Sequence, residues 1–234
     1  VSPRPLAGHT APIRVISVSP DGKLLATGSD DKTIRLWNPV DGTSAQTIAP
    51  NGADALLALA FQPDSAQLAS GDAAGVIRLS NVANGAPLAE LKGHNSAVTA
   101  LAYRPDAKQL VSSGADGLVK WWNLPRVAPR AIATLPVAIT SLATDGKTVV
   151  LGSTDGSIRM MDPATGNQVR AFAGHAGSVV TMALHPAGTQ VASGQPDGAI
   201  RLFNAADGVL LGTFRGHTGA INSLALPPSL PQVV

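Results

Sequence analysis

Short stretches in which larger apolar residues alternate with polar or small ones run the length of the 234-residue chain. Ile13–Ser19 (IRVISVS) and Ala97–Tyr103 (AVTALAY) show the pattern, whose two-residue period is that of a β-strand. Each such stretch leads into a turn: Pro20-Asp21-Gly22, Pro63-Asp64-Ser65, Pro105-Asp106-Ala107 and Pro186-Ala187-Gly188. Proline presets φ for the first central turn position, and Asp or Gly suits the later ones. A second apolar stretch follows, at 23–29, 66–72, 108–114, 147–153 and 189–195. Next come tight turns at Asp31-Lys32, Ala74-Gly75, Asp116-Gly117, Asp155-Gly156 and Asp197-Gly198, short enough to close hairpins.

The third stretch reveals the period. TIRLWN (33–38), VIRLSN (76–81), LVKWWN (118–123), SIRMMD (157–162) and AIRLFN (199–204) are variants of one strand. Their anchors Trp37, Ser80, Trp122, Met161 and Phe203 lie 43, 42, 39 and 42 residues apart. A further turn (Asp41-Gly42, Asn84-Gly85, Thr165-Gly166, Asp207-Gly208) opens a fourth strand. Four antiparallel strands in one such period form a propeller blade.

The fourth strands end near Gly-His pairs, at Gly8-His9, Gly93-His94, Gly174-His175 and Gly216-His217, and Asn mostly fills the Asp of the Trp-Asp pair. With these, the array resembles the WD-repeat (WD40) family over essentially its whole length, and we expect a bacterial member. The resemblance implies an all-β WD40-type β-propeller, five complete four-stranded blades plus a partial sixth, a fragment of a six- or seven-bladed ring. The repeats are expected at about 8–50, 51–92, 93–135, 136–173, 174–215 and, in part, 216–234, all in one domain. Arg4–Ala7 is expected to be the outermost strand of the final blade and Ile221–Leu226 the first strand of the sixth. The chain starts at Val1 rather than Met and stops within what matches a second strand, so further chain is expected beyond its ends. An incomplete ring would leave apolar blade faces bare and invite self-association.

The family's buried tetrad carries over as His9, Thr27, Asp31 and Trp37 in the first blade, and as His94, Ser112, Asp116 and Trp122 in the third. The fifth keeps His175, Ser193 and Asp197 but has Phe203; the second keeps only Ser70 and the fourth only Asp155. His, Ser and Asp are also the residue types of a hydrolytic triad, which is recognised by geometry and not by chain order. Here the set recurs and ends on an indole, so it reads as a structural lock: buried polar groups need partners, and satisfied networks rigidify.

Little polar chemistry is left over. Glu90 is the only glutamate, and most aspartates fall in turns or tetrads, leaving Asp30, Asp54 and Asp72 without an architectural role. No ligand spacing emerges, so neither a metal site nor a cofactor is expected. The absence of cysteine removes thiol and disulfide chemistry. Asp145-Gly146-Lys147-Thr148 lacks the first glycine of a phosphate loop and reads as a hairpin. The pI of about 9.2 conceals an excess of only two basic over acidic residues, and aromatics make up 3%. No basic stripe with aromatics appears, so nucleic acid is not the expected partner. No apolar run reaches the length of a membrane-spanning helix. The basic residues Arg35, Arg78, Lys120, Arg159 and Arg201, one per third strand, read as exposed edge positions.

In the resemblance, the loops before the first strand and between the second and third strands receive protein or peptide partners. Carried over, these positions are Arg14, Asp30, Thr99, Ala115, Thr140, Thr154, Val180, Pro196 and Asn222, of which only Arg14 is a typical hot-spot residue. The expected function is a non-enzymatic protein–protein interaction scaffold. The alternative is a sensory or regulatory propeller of a larger multidomain protein whose catalytic part lies outside this chain.

Overall fold

The computed structural model describes residues 5–50, 54–124, 130–173, 175, 177–226. Among these residues twenty strands and no helix form five four-stranded antiparallel sheets. The first holds β1 (Ile13–Val18), β2 (Leu25–Ser29), β3 (Ile34–Trp37) and β4 (Ser44–Ile48). The second holds β5 (Leu56–Phe61), β6 (Gln67–Asp72), β7 (Val76–Asn81) and β8 (Pro87–Lys92). β9 (Val98–Tyr103), β10 (Gln109–Gly114), β11 (Leu118–Asn123) and β12 (Arg130–Thr134) make the third. The fourth is β13 (Ile139–Thr144), β14 (Val149–Ser153), β15 (Ile158–Met161) and β16 (Gln168–Phe172); the fifth is β17 (Thr181–Leu184), β18 (Gln190–Gly194), β19 (Ile200–Asn204) and β20 (Leu210–Phe214). Within every sheet the strands are hydrogen-bonded in chain order, as successive hairpins dictate.

The chain divides into two compact units, residues 1–116 with 121–129, and 117–120 with 130–234. In the first unit, alternate residues of one strand serve two cores. Leu59 and Phe61 of β5 pack with Ala26, Ile34 and Leu36 of the first sheet. Ala58 and Ala60, pointing the other way, pack with Val98, Leu101 and Trp122 of the third. A strand buried on both faces must be apolar at nearly every position, which is why LLALAF lacks the alternation of a one-faced strand. In the second unit Val150, Ile158 and Phe172 meet Val179, Met182 and Phe203 in the same way.

A recurrent glycine permits this stacking. A Cβ on Gly71 would stand 2.5 Å from Val98 Cγ1, and one on Gly194 2.6 Å from Ile221 Cγ2. The neighbouring side chain therefore packs directly onto the backbone, where only hydrogen fits. The hairpin between second and third strands takes glycine with positive φ at Gly75, Gly117, Gly156 and Gly198, but the first sheet places Lys32 there at φ 68°.

Two expected strands are not formed. Pro5–Ala7 is not in a strand, and Arg4 lies outside the described residues. Ile221–Leu226 is likewise not in a strand, and the stretch expected to pair with it, in 227–234, lies outside the described residues. The segment nevertheless docks as an inner strand would. The Ile221 amide donates to the Gln195 carbonyl at 3.1 Å, and Leu224 and Leu226 pack against Ala183, Ala192 and Leu202.

Candidate functional site

The candidate polar residues lie in two places: inside the sheets, and at the ends where second-strand turns meet the start of the first strand. Inside the first sheet, β2 supplies Thr27, the following hairpin Asp31, and β3 Trp37. His9 Nε2 meets Thr27 Oγ1 at 2.7 Å, His9 Nδ1 meets Asp31 Oδ2 at 2.8 Å, and Trp37 Nε1 donates to Thr27 Oγ1 at 2.8 Å. The third sheet repeats this: His94 Nε2 lies 2.7 Å from Ser112 Oγ, its Nδ1 3.0 Å from Asp116, and Trp122 Nε1 donates to Ser112 Oγ at 2.8 Å. With the proton on Nδ1, the chain from indole through hydroxyl to imidazole to carboxylate is satisfied at every link. Burial works against the Asp31 carboxylate, but Thr33 Oγ1, the Thr10 amide and His9 outweigh it and hold the group well below the usual carboxylate range.

The fifth sheet keeps half of the arrangement. His175 Nε2 reaches Ser193 Oγ at 2.7 Å and the ring stacks on Phe203, centroids 5.6 Å apart. Its buried Nδ1 has no hydrogen-bond partner among the described residues. Asp197 instead accepts the Ala199 amide at 3.0 Å and lies 4.0 Å from Arg215 Nη1. Asp31, Asp155 and Asp197 each accept the amide two residues on, so this aspartate serves its hairpin whether or not a histidine is present. That explains why the fourth sheet retains Asp155 alone.

The second sheet contains what the sequence reading passed over. Asp72 is fully buried; it accepts the Ala74 and Val76 amides and the Arg78 guanidinium, whose Nη2 lies 3.1 Å from Glu90. Lys92 completes the series, 3.0 Å from Glu90. Asp72 therefore has an architectural role after all, visible in sequence only as a charge two residues past Ser70 and six before Arg78. The five third-strand basic residues also differ from expectation: all are half-buried, because the strand is covered on both faces. Asp145–Thr148 is the hairpin expected, with Asp145 Oδ1 accepting the Lys147 and Thr148 amides.

At the sheet ends, turn and inner strand are tied by one recurrent bond. Asp30 N donates to Pro12 O, Ala115 N to Ala97 O and Thr154 N to Ala138 O, at 2.9–3.0 Å. Arg14 and Asp30 form an exposed bidentate pair, the Arg14 Nε lying 2.9 and 2.8 Å from the two carboxylate oxygens. Arg14 holds the Asp30 carboxyl below its ordinary value. Thr99 Oγ1 is bonded to Ser113 Oγ at 3.1 Å, and Thr140 Oγ1 is turned inward to the carbonyls of Gly152 and Val179. Ala115, Thr154, Pro196 and Asn222 are exposed, while Val180 is half-buried with its amide donated to Gly194 O. Among the described residues no three His, Cys, Asp or Glu side chains converge as a metal site, and no helix is long and apolar enough to cross a membrane.

Successive four-stranded hairpin sheets, locked by His–Thr/Ser–Trp chains and stacked through inner strands, are the blades of a β-propeller. The chain belongs to the family described as WD40: WD domain, G-beta repeat, which matches residues 2–38, 85–123, 166–204 and 208–234. Such repeats are typical of protein–protein interaction scaffolds. The chain is similar to the Periodic tryptophan protein 2 homolog of Schizosaccharomyces pombe, 36% identical over 34% of this chain and 9% of that protein. It is also similar to Periodic tryptophan protein 2 of Arabidopsis thaliana, 37% identical over 30% of this chain and 8% of that protein. Ribosome biogenesis protein ERB1 of Debaryomyces hansenii is 44% identical over 25% of this chain and 8% of its own length. The chain thus spans less than a tenth of the length of these relatives. All three are eukaryotic and lend no support to a bacterial origin.

Proposed function

We propose that the chain is a non-enzymatic protein–protein interaction module whose contact end is formed by the turns before first strands and after second strands, centred on Arg14 and Asp30. The observation that carries this reading is the disposition of its polar residues. In the first and third blades the triad-like residues are consumed by one another inside the sheet, whereas the Arg14–Asp30 pair stands in solvent. A pinned, exposed charge pair steers and orients a partner more than it adds affinity. The partner is a protein or peptide and not nucleic acid, given the near balance of charge and the scarcity of aromatics. A second contact surface is the outward face of β1, where Ile16 and Val18 are exposed.

A propeller serving inside a longer protein, as a regulatory or assembly part, is the second reading, and the far greater length of the relatives favours it. Two of the three names carry periodic tryptophan and one carries ribosome biogenesis, and an assembly role is compatible with a binding module. Quantitative affinity purification with the wild-type chain and with Arg14→Ala/Asp30→Ala, under ribonuclease treatment, tests the main reading. One set of proteins is expected to be lost from the double variant, with the remaining affinity less dependent on salt. An identical set, retained at identical salt dependence, places the contact elsewhere; partners released by ribonuclease would overturn the protein-only reading.

A further inference from the structure

Ser80 stands where the first and third blades carry Trp37 and Trp122. Strand register makes the equivalence physical: Ser80 faces Leu68 on β6 and Pro87 on β8, as Trp37 faces Leu25 on β2 and Ser44 on β4. In the first and third blades the indole crosses to a hydroxyl on the second strand, Thr27 or Ser112. The second blade keeps that hydroxyl as Ser70, paired in register with Arg78 as Thr27 is with Arg35, but has lost the ring.

A cavity of about 460 Å3 lies beside Ser80. That is the size of a site for a small organic group. Ile48 and Pro50 form one wall, Pro87 and Leu88 another. Two charged side chains enter it, Arg78 and Glu90. Arg78 is held by Asp72 and Glu90 together, so its guanidinium is fixed in place before any guest arrives. The two lining charges cancel, and the buried Asp72 carboxylate behind them opposes an anionic guest. Apolar walls with one immobilised guanidinium complement a flat, neutral, electron-rich ring.

We propose that this cavity is a binding site for a neutral indole, the tryptophan side chain of a partner protein, which occupies the space left by Ser80 and lies against Arg78. The frame already accepts an indole twice, in the first and third blades, with the chain's own side chains. The source of the ring rests on the interaction-module reading; the affinity of the cavity for indole does not.

N-acetyl-tryptophanamide titrated into the 234-residue chain, followed by calorimetry and methyl NMR, tests the site. Saturable binding is expected, with ring-current shifts confined to the methyls of Ile48 and Leu88. Binding should be lost in Ser80→Trp, whose own indole fills the cavity, and absent for N-acetyl-leucinamide. The wild-type shift map decides even if Ser80→Trp does not fold. Absence of saturable shifts at those methyls, equal binding of the leucine amide, or binding that survives in folded Ser80→Trp would each overturn the proposal. Arg14→Ala/Asp30→Ala should leave the indole titration unchanged, so a failed contact end and a failed cavity give different results.

Discussion

His9, His94 and His175 share a second-strand hydroxyl partner, but only the first two have a carboxylate on Nδ1. In the fifth blade Asp197 is engaged with its hairpin and with Arg215 and makes no hydrogen bond to His175, so its charge only partly offsets the burial of the His175 ring. Burial, and then the nearby Arg201 charge, push its pKa from 6.5 down to about 4. The sign follows directly. Above pH 6.5 the imidazole is neutral in both folded and unfolded chains; below it the unfolded chain takes up the proton first, so stability is lost as pH falls towards 4. Urea midpoints of the wild-type chain should decline across that window, and His175→Gln should flatten the decline. Identical slopes for the two proteins would mean that His175 does not titrate as its surroundings dictate. None of this was readable from the spacing, since His175, Ser193 and Asp197 are placed as in the first and third blades; besides Phe203 in place of the indole, it is the position of the Asp197 side chain that separates them.

Blades that differ in their polar core should differ in what breaks them. In the third blade the interior is a hydrogen-bonded chain that ends on the Asp116 carboxylate, and His94→Ala takes one partner each from Ser112 and Asp116, a loss of about 1–3 kcal/mol. In the second blade it is an ion pair whose carboxylate is fully buried and whose arginine is largely so. Removing one member of a buried pair strands the other charge, at about 3–5 kcal/mol. Asp72→Ala should therefore lower the unfolding midpoint more than His94→Ala, and both more than Arg14→Ala, because the exposed Arg14–Asp30 pair contributes about 0–1 kcal/mol. Chemical denaturation of the three variants checks the order; a reversed ranking of Asp72 and His94 would show that Arg78 is adequately held by Glu90. The strands, their order in a blade and the hairpin turns were legible because each depends on local pattern and turn chemistry. The Asp72–Arg78 substitute for the tetrad was not. It joins residues on different strands, and its aspartate stands two residues after Ser70, whereas the first and third blades place theirs four residues after the hydroxyl.

Repetition stabilises the chain where a blade has neighbours: β5, packed between the first and third sheets, has no exposed residue. β1 has the same kind of sequence and a different fate. Val15 packs inward against the first core, but Ile13, Ile16 and Val18 are 44%, 54% and 59% exposed. Side chains that a neighbouring blade covers elsewhere are here in water, beside the unpaired edge of the sheet. An apolar strand edge of this kind favours association with another apolar surface. Alternation in the sequence marks the strand but cannot tell whether a neighbour covers it. The 234-residue chain is accordingly expected to self-associate, its weight-average mass in sedimentation velocity rising with protein concentration. Ile16→Lys with Val18→Lys should suppress that rise while leaving the unfolding midpoint nearly unchanged, since neither side chain is buried in the chain itself. A wild-type chain that sediments as a monomer at every concentration would mean that the bare face of β1 is not adhesive. Suppression accompanied by a large fall in stability would mean instead that the face is packed within the chain.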